Sequence, residues 1–213
     1  MIPSASPCVY IVDDDRKVLT ALSRLLTVTG YQVHAFDSPH TFLAAHDPDL
    51  PGCALFDVGM ADVDGLALQD ILQRDGHSRP IIFITGHDDA KTGVRAMKAG
   101  AVDYLTKPVQ DVELLVAVQT AIETDMKVRR NDAERAELRR KLGLLTPREV
   151  EVMAQVVRGR LNKQIAFDLG IVEKTVKVHR ARVMEKMDVR SVAALVHAAE
   201  TLGIQTADAS TAD

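Results

Sequence analysis

The sequence predicts two domains of different class: an α/β domain on a five-stranded parallel sheet, then a small all-α domain of four helices. Three observations carry this expectation. Short β-branched runs alternate with amphipathic helical segments through the first half of the chain, and from about Asp111 the strand pattern disappears. Charge changes sign as well. Residues 1–125 hold 9 Lys+Arg against 18 Asp+Glu, and residues 126–213 hold 17 against 12, within a formal net charge of −4. An acidic front points to cation or phosphate chemistry, and a basic rear to nucleic acid.

Strands are expected at CVYIV (8–12), QVHAF (32–36), CALF (53–56), PIIFI (80–84) and AVDYL (101–105). In the first intervening segment Val18, Leu22, Leu25 and Leu26 recur at helical spacing, and Gly30 is the stop signal. Helices of this length between strands imply right-handed crossovers and a sheet covered on both faces. Leu114, Leu115, Val118 and Ile122 give the last helix of this domain its apolar stripe. It runs into DMKVRRNDAERAELRRK, where Asp125–Arg129 and Glu137–Lys141 are acid-before-base pairs at i,i+4. We read that polar stretch as a solvated helical linker. The second domain opens on Thr146-Pro147-Arg148-Glu149, a capping box with proline at the first helical position. Its helices are expected near 147–157, 162–169, 173–187 and 191–202, and the tail QTADASTAD lacks an apolar stripe. The expected boundaries are 6–123, a linker over 124–141, 142–204, and a disordered tail over 205–213.

Composition narrows the class. With 4% aromatic residues and no tryptophan, both cores are expected to be aliphatic. There is no run of 18 apolar residues and no charged-then-apolar leader, so a cytoplasmic protein without membrane partners is expected. Cys8 and Cys53 stand at strand starts, as small core residues of a reducing compartment; two cysteines supply too few ligands for zinc. His34, His77 and His197 show no partner pattern.

Reactive groups of an open α/β sheet gather just beyond the carboxyl ends of its strands. Asp13 and Asp14 follow VYIV, Asp57 follows CALF, Thr85 follows IIFI, and Lys107-Pro108 follow AVDYLT. A carboxylate attacks phosphorus poorly until charge on the phosphoryl oxygens is neutralised, which magnesium does while bridging acceptor and donor. Magnesium favours a few carboxylates plus water, a set that Asp13, Asp14 and Asp57 supply. Lys107 and Thr85 offer a charge and a hydroxyl to the transferred oxygens. In the rear half, Ala166, Gly170 and Val176 mark a helix-turn-helix: a close approach, a permissive turn residue and an apolar seal. In EKTVKVHRARVMEKM, Val176, Val183 and Met187 share one face while Lys174, Lys177, Arg180 and Arg182 spread over the other, as a major-groove helix requires.

The motifs VDDD, LFDV followed by GMADVDG, ITGHDD and YLTKP resemble the receiver domain of bacterial response regulators, over roughly residues 6–125. LTPREVEV, LNKQIAFDLGI, KTVKVHRARVMEKM and VRSVAALV resemble the LuxR-type DNA-binding domain of the NarL/FixJ (StyR-like) family, over roughly 142–203. The resemblance implies a flavodoxin-like strand order 2-1-3-4-5. It implies that Asp57 is the phosphoacceptor, with Asp14 and Asp57 binding Mg2+ aided by Asp13 through water and the Gly59 carbonyl. Lys107 and Thr85 would contact the phosphoryl group, Tyr104 would be the switch aromatic, and the Lys107–Pro108 bond would be cis. Lys177 and Val178 are the candidates for base edges; Lys174, Thr175, His179, Arg182 and Asn162 are the candidates for phosphates.

The function implied is a transcription activator of a two-component system, phosphorylated by a sensor histidine kinase. It would dimerise through the face built from the fifth strand and its flanking helices, or release an inhibitory contact with the DNA-binding domain, and so bind promoter DNA and engage RNA polymerase. No enzymatic activity is implied beyond its own phosphorylation and dephosphorylation. Ala61 stands where the family usually has proline, Asp88 where it has glycine, and Val109 where it has phenylalanine. Gly59 and His87 hold the two variable positions that tune phosphoryl lifetime. Val172 replaces a serine cap, at a cost of about 1 kcal/mol to the start of the recognition helix. Two alternatives stand beside this reading. One is a magnesium phosphatase resembling haloacid dehalogenases, which would need a second acid where this chain has Gly59. The other is a DNA-binding regulator whose receiver is a phosphorylation-independent interaction module, as the altered loop at Ala61 suggests.

Overall fold

The computed structural model describes residues 7–60, 63–74, 79–86 and 90–205. The expectations placed on Ala61, His77, His87, Asp88 and the tail beyond residue 205 lie outside them. The chain divides into two compact units, Met1–Arg129 and Arg130–Asp213.

In the first unit β1 (Cys8–Val12), β2 (Gln32–Phe36), β3 (Gly52–Asp57), β4 (Ile81–Thr85) and β5 (Asp103–Thr106) alternate with α1 (Arg16–Val28), α2 (Pro39–Ala45), α3 (Gly65–Arg74) and α4 (Ala90–Lys98). α5 (Asp111–Leu142) follows. Every pairing is parallel and the order is β2-β1-β3-β4-β5. β5 begins two residues later than its apolar run because the Ala101 amide closes the end of α4, donating to the Ala96 carbonyl at 3.1 Å.

Side-chain alternation divides the core. Tyr10, Val12, Ala54, Phe56, Ile81 and Phe83 face one side, against α2, α3 and Ala96 of α4. Val9, Ile11, Cys53, Leu55, Ile82 and Ile84 face the other, against α1 and α5. Each fully buried aliphatic side chain contributes about 1.5–3 kcal/mol, so near-continuous apolar strands are stable only where both faces are covered. The expectation of purely aliphatic cores is corrected on the first face. Tyr10, Phe36 and Phe56 each pack around Phe42, with ring centroids 5.7, 5.7 and 5.3 Å away, and Phe83 extends the group at 6.3 Å from Phe56. Few aromatics occur in the chain, but strand alternation gathers them on one side. The same alternation separates the cysteines: Cys8 belongs to one face and Cys53 to the other, both buried and free. Burial pushes the Cys53 thiol up to about 12, consistent with an inert core residue.

The stretch 124–141 is helical, yet part of it is sealed against the sheet. Asp125 is 2% exposed; its Oδ2 accepts from the Gly52 amide at 2.8 Å and from Arg129 Nε at 2.7 Å. The Arg129 guanidinium also donates to the carbonyls of Pro48, Asp49 and Leu50, at 2.7, 3.0 and 3.1 Å. Residues 124–129 thus complete the first unit, and a pair read as a solvated brace is a clamp on the entry to β3.

The second unit holds the rest of α5 and four short helices, α6 (Pro147–Val157), α7 (Asn162–Leu169), α8 (Glu173–Met187) and α9 (Val192–Thr201). Val152, Met153, Val156, Ile165, Val176, Val183, Met187 and Leu195 form its core, with Leu138 and Leu142 packed against it. Gly170 closes α7 in the left-handed region at φ +64, a conformation that costs other residues, so the turn into α8 can be tight. Among the described residues no helix is long and apolar enough to cross a membrane.

The Thr146–Glu149 capping box forms, and Glu149, 1% exposed, also takes a hydrogen bond from Lys186 Nζ at 2.6 Å. That bond, with the Thr146 amide, holds the Glu149 carboxyl down at about 2 from an ordinary 4.5. A depressed folded-state value gives stability that is present above the unfolded value and lost as pH falls through the folded one. Thermal melts followed by circular dichroism should therefore show a fall in Tm between pH 4.5 and 2 that is smaller in Glu149→Gln. Equal acid sensitivity in the two proteins would contradict this assignment.

Candidate functional site

The carboxyl ends of the strands bring the first group of residues together. β3 and β4 pair Asp57 with Ile84, so Thr85 lies one residue further along the neighbouring strand. β4 and β5 pair Thr85 with Thr106, and the Lys107 amide donates to the Thr85 carbonyl at 2.7 Å. Lys107 and Pro108 are joined by a cis peptide. Its side chain reaches back across the sheet: Nζ lies 2.7 Å from Asp13 Oδ2 and 2.6 Å from Asp57 Oδ1. The other carboxylate oxygens are held by main chain, Asp13 Oδ1 by the Asp15 amide at 2.8 Å and Asp57 Oδ2 by the Gly59 amide at 2.7 Å.

Gly65 starts α3 against the Asp57 backbone; a Cβ there would lie 2.4 Å from the Asp57 carbonyl oxygen. Asp57, Val58, Gly59, Thr85, Gly86, Thr92, Tyr104 and Lys107 line one cavity of about 370 Å³.

Burial sets the electrostatics. Asp13, Asp57 and Thr85 are buried, at 2%, 7% and 4% exposure. Desolvation raises the Asp13 carboxyl above its usual value, although Lys107 and the Asp15 amide pull it down. For Lys107 desolvation acts to lower the ammonium, but its bonds and attraction to Asp13 and Asp57 outweigh that and raise it. Two sequestered carboxylates thus share one ammonium. Asp14 is exposed. Among the described residues no three His, Cys, Asp or Glu side chains converge on a common point for a metal ion. Lys107 stands between Asp13 and Asp57, and Asp14 is exposed. The donors that are present, carboxylate oxygens and the Gly59 main chain, are all hard oxygen ligands suited to magnesium.

Tyr104 is half-buried, and its hydroxyl is sealed from solvent without a hydrogen-bond partner. A Cβ on Gly93 of α4 would lie 3.3 Å from its ring, so that glycine makes the room the ring uses. Gly93 carries no signal of this in the sequence, because a glycine inside a helical pattern does not say what packs on it. Val109, in place of phenylalanine, packs with the α1–α5 face.

In the second unit, Lys174, Lys177, Val178 and Arg182 of α8 are exposed, Val178 at 44%. Thr175 and His179 are half-buried, and His179 Nδ1 is sealed without a partner. Asn162 opens α7, with Oδ1 accepting from Arg180 Nη1 at 2.8 Å. Arg180, read as part of the exposed basic side, is instead half-buried and turned toward α7. Lys174, Lys177 and Arg182 form a solvent-facing surface with an apolar residue, Val178, among them. Such a surface can combine phosphate contacts with contact to a thymine methyl.

The N-terminus of α8 is uncapped: Val172 is extended at φ −80, ψ 148 and offers no side-chain acceptor. It is 67% exposed, so little core packing is lost by replacing it. Val172→Ser is expected to stabilise the domain by about 1 kcal/mol, read as a higher urea midpoint at unchanged slope. A lower midpoint would show that Val172 packs more than its exposure indicates.

Comparison with known proteins agrees with both halves. Residues 9–119 match the response regulator receiver domain, and residues 143–199 match the bacterial regulatory proteins of the luxR family. The chain is 44% identical over 201 residues to Nodulation protein W of Bradyrhizobium diazoefficiens, covering 94% of this chain and 88% of that protein. It is 38% identical over 210 residues to the transcriptional regulatory protein FixJ of Azorhizobium caulinodans, covering 99% of each. The solved structure of response regulator StyR superposes with a TM-score of 0.84 at 42% identity, covering 92% of this chain and 99% of that one.

Proposed function

We propose, from the premise that this chain belongs to the two-component response regulators that join a receiver to a luxR-type DNA-binding domain, that Asp57 is its phosphoacceptor and its switch. The chain is a transcription regulator of a two-component system. A sensor histidine kinase donates the phosphoryl group, and the product acts as an activator through promoter DNA and RNA polymerase.

The observation that carries this reading is Lys107 Nζ within 2.7 Å of both Asp13 and Asp57, beside a cavity that Asp57, Lys107, Thr85 and Tyr104 line. Asp57 Oδ1 faces the lysine and is the oxygen available to a donor once that contact loosens. The Gly59 amide holds Oδ2 and so fixes the orientation of the carboxylate. Asp13, Asp14, Asp57 and the Gly59 carbonyl would hold Mg2+, which when bound neutralises charge between acceptor and donor. Lys107 follows the new oxygens, and the Thr85 hydroxyl turns to one of them. The added charge is about −1.5 to −2, enough to draw Thr85 inward. Tyr104 follows into the space that Thr85 vacates, and the surface of α4, β5 and the start of α5 changes. Val94, Met97, Val112 and Val116 are exposed there, which favours a receiver dimer.

Titration with beryllofluoride and magnesium, followed by size-exclusion chromatography, tests this reading. The expected result is a saturable shift from monomer to dimer. A protein that dimerises or binds DNA equally well without the phosphoryl mimic would instead use its receiver as a phosphorylation-independent module.

A further inference from the structure

We infer that Arg180 is a positioning residue for DNA binding, acting through Asn162 rather than by touching the duplex itself; this rests on the DNA-binding reading above. Three observations combine. Arg180 Nη1 donates to Asn162 Oδ1 at 2.8 Å, between the recognition helix α8 and the first residue of α7. Both side chains are half-buried, whereas Lys174, Lys177 and Arg182 are exposed. Leu161, the residue before α7, offers no side-chain acceptor to the first amides of that helix.

The chemistry assigns the direction of the amide. A guanidinium carries only donors, so the Asn162 carbonyl oxygen must face Arg180. Its NH2 is then directed away from Arg180. A phosphate oxygen carries only acceptors and is the complementary partner for that donor. Gln164 occupies the other local role, its Oε1 taking the Leu161 amide at 2.9 Å, and so does not compete for the Asn162 side chain. The Arg180 bond also ties the start of α7 to the middle of α8. Phosphate contacts made by α7 and base contacts made by α8 are thereby held in one register, which backbone contacts exist to set. An unlatched Asn162 would sample rotamers in which the amide faces solvent, and the duplex would have to order it on binding.

The test uses the full-length protein activated with beryllofluoride and magnesium, and a mixed-sequence duplex of about 24 base pairs, long enough for two half-sites one turn apart. Fluorescence anisotropy is measured over a range of salt concentrations, with urea unfolding of each variant alongside. Asn162→Ala and Arg180→Lys are both expected to weaken binding by about 10-fold or more, as loss of one well-placed hydrogen bond to a charged group does. The double variant is expected to be no weaker than either single one. The salt slope should stay unchanged, because a neutral amide releases no counterion and Arg180→Lys keeps its charge.

Wild-type affinity in Arg180→Lys, alongside weak binding and a shallower salt slope in Arg180→Met, would overturn the inference, since Arg180 would then contact phosphate by its own charge. Additive losses, or losses matched by lower unfolding midpoints, would overturn it equally. Absence of duplex binding by the unaltered protein would sink the DNA-binding reading instead, which keeps the two failures distinct.

Discussion

Asp57→Asn protein mixed with magnesium and a small-molecule phosphodonor such as acetyl phosphate is expected to take up no phosphoryl group. Its DNA affinity should not respond to the donor. The amide keeps an acceptor oxygen for Lys107 or for the Gly59 amide, so the local fold should survive the change. What it loses is the nucleophile and one of two negative charges that Lys107 balances. The measurement is donor-dependent binding to a two-half-site duplex, where dimerisation in the unaltered protein should contribute about 10²-fold or more through effective concentration. Phosphate incorporation, read by intact mass, gives an independent check. Donor-stimulated binding of normal size in this variant would refute the switch. Lys107 should also titrate lower in the variant, because its attraction to Asp57 is among the causes that raise it.

The largest effect on stability is expected far from that chemistry, at Gly52. Its φ is +147, in a region that side-chain-bearing residues rarely adopt. A Cβ built there would lie 1.8 Å from the Cys8 carbonyl oxygen and 2.8 Å from the Cys8 nitrogen, both backbone atoms of the adjacent central strand. Neither can move without breaking the β1–β3 register, in which Cys8 pairs with Gly52. Gly52→Ala should therefore destabilise the receiver by more than about 4 kcal/mol, at the upper end of single-substitution effects. Calorimetry should show the receiver transition lowered or lost while that of the second domain persists. A loss under about 1 kcal/mol would mean that the strand entry is far more plastic than its packing shows. Asp125 and Arg129 hold the same strand entry, through the Gly52 amide and the carbonyls of residues 48–50.

The reach of sequence reading differs between these two regions for a physical reason. The convergence of Asp13, Asp57, Thr85 and Lys107 was legible because each follows a short apolar strand. Parallel strands in an open sheet deliver the residues after their carboxyl ends to one edge, whatever lies between them. In the second domain the start of α6 and the turn between α7 and α8 were legible, since a capping box and a turn glycine are local. The Asp125–Arg129 clamp was not. In sequence it is an ordinary i,i+4 pair on a polar helix, and only packing brings it to a glycine 73 residues earlier. Arg180 was misplaced for a similar reason: helical spacing puts it on the basic side, but the neighbouring helix gives it an acceptor.

By itself, then, the sequence determined the two domain classes, the strand order implied by the family resemblance, and which residues could carry phosphate and DNA chemistry, because these depend on periodicity and local motif. Tertiary structure alone decided how those groups are engaged. It placed Lys107 between Asp13 and Asp57 while Asp14 turned outward, gathered scarce aromatics on one face, sealed Asp125 beneath the sheet and latched Arg180 to Asn162. Each of these depends on which distant atoms exclude water from a charge or ring, and that is set by packing rather than by any spacing along the chain.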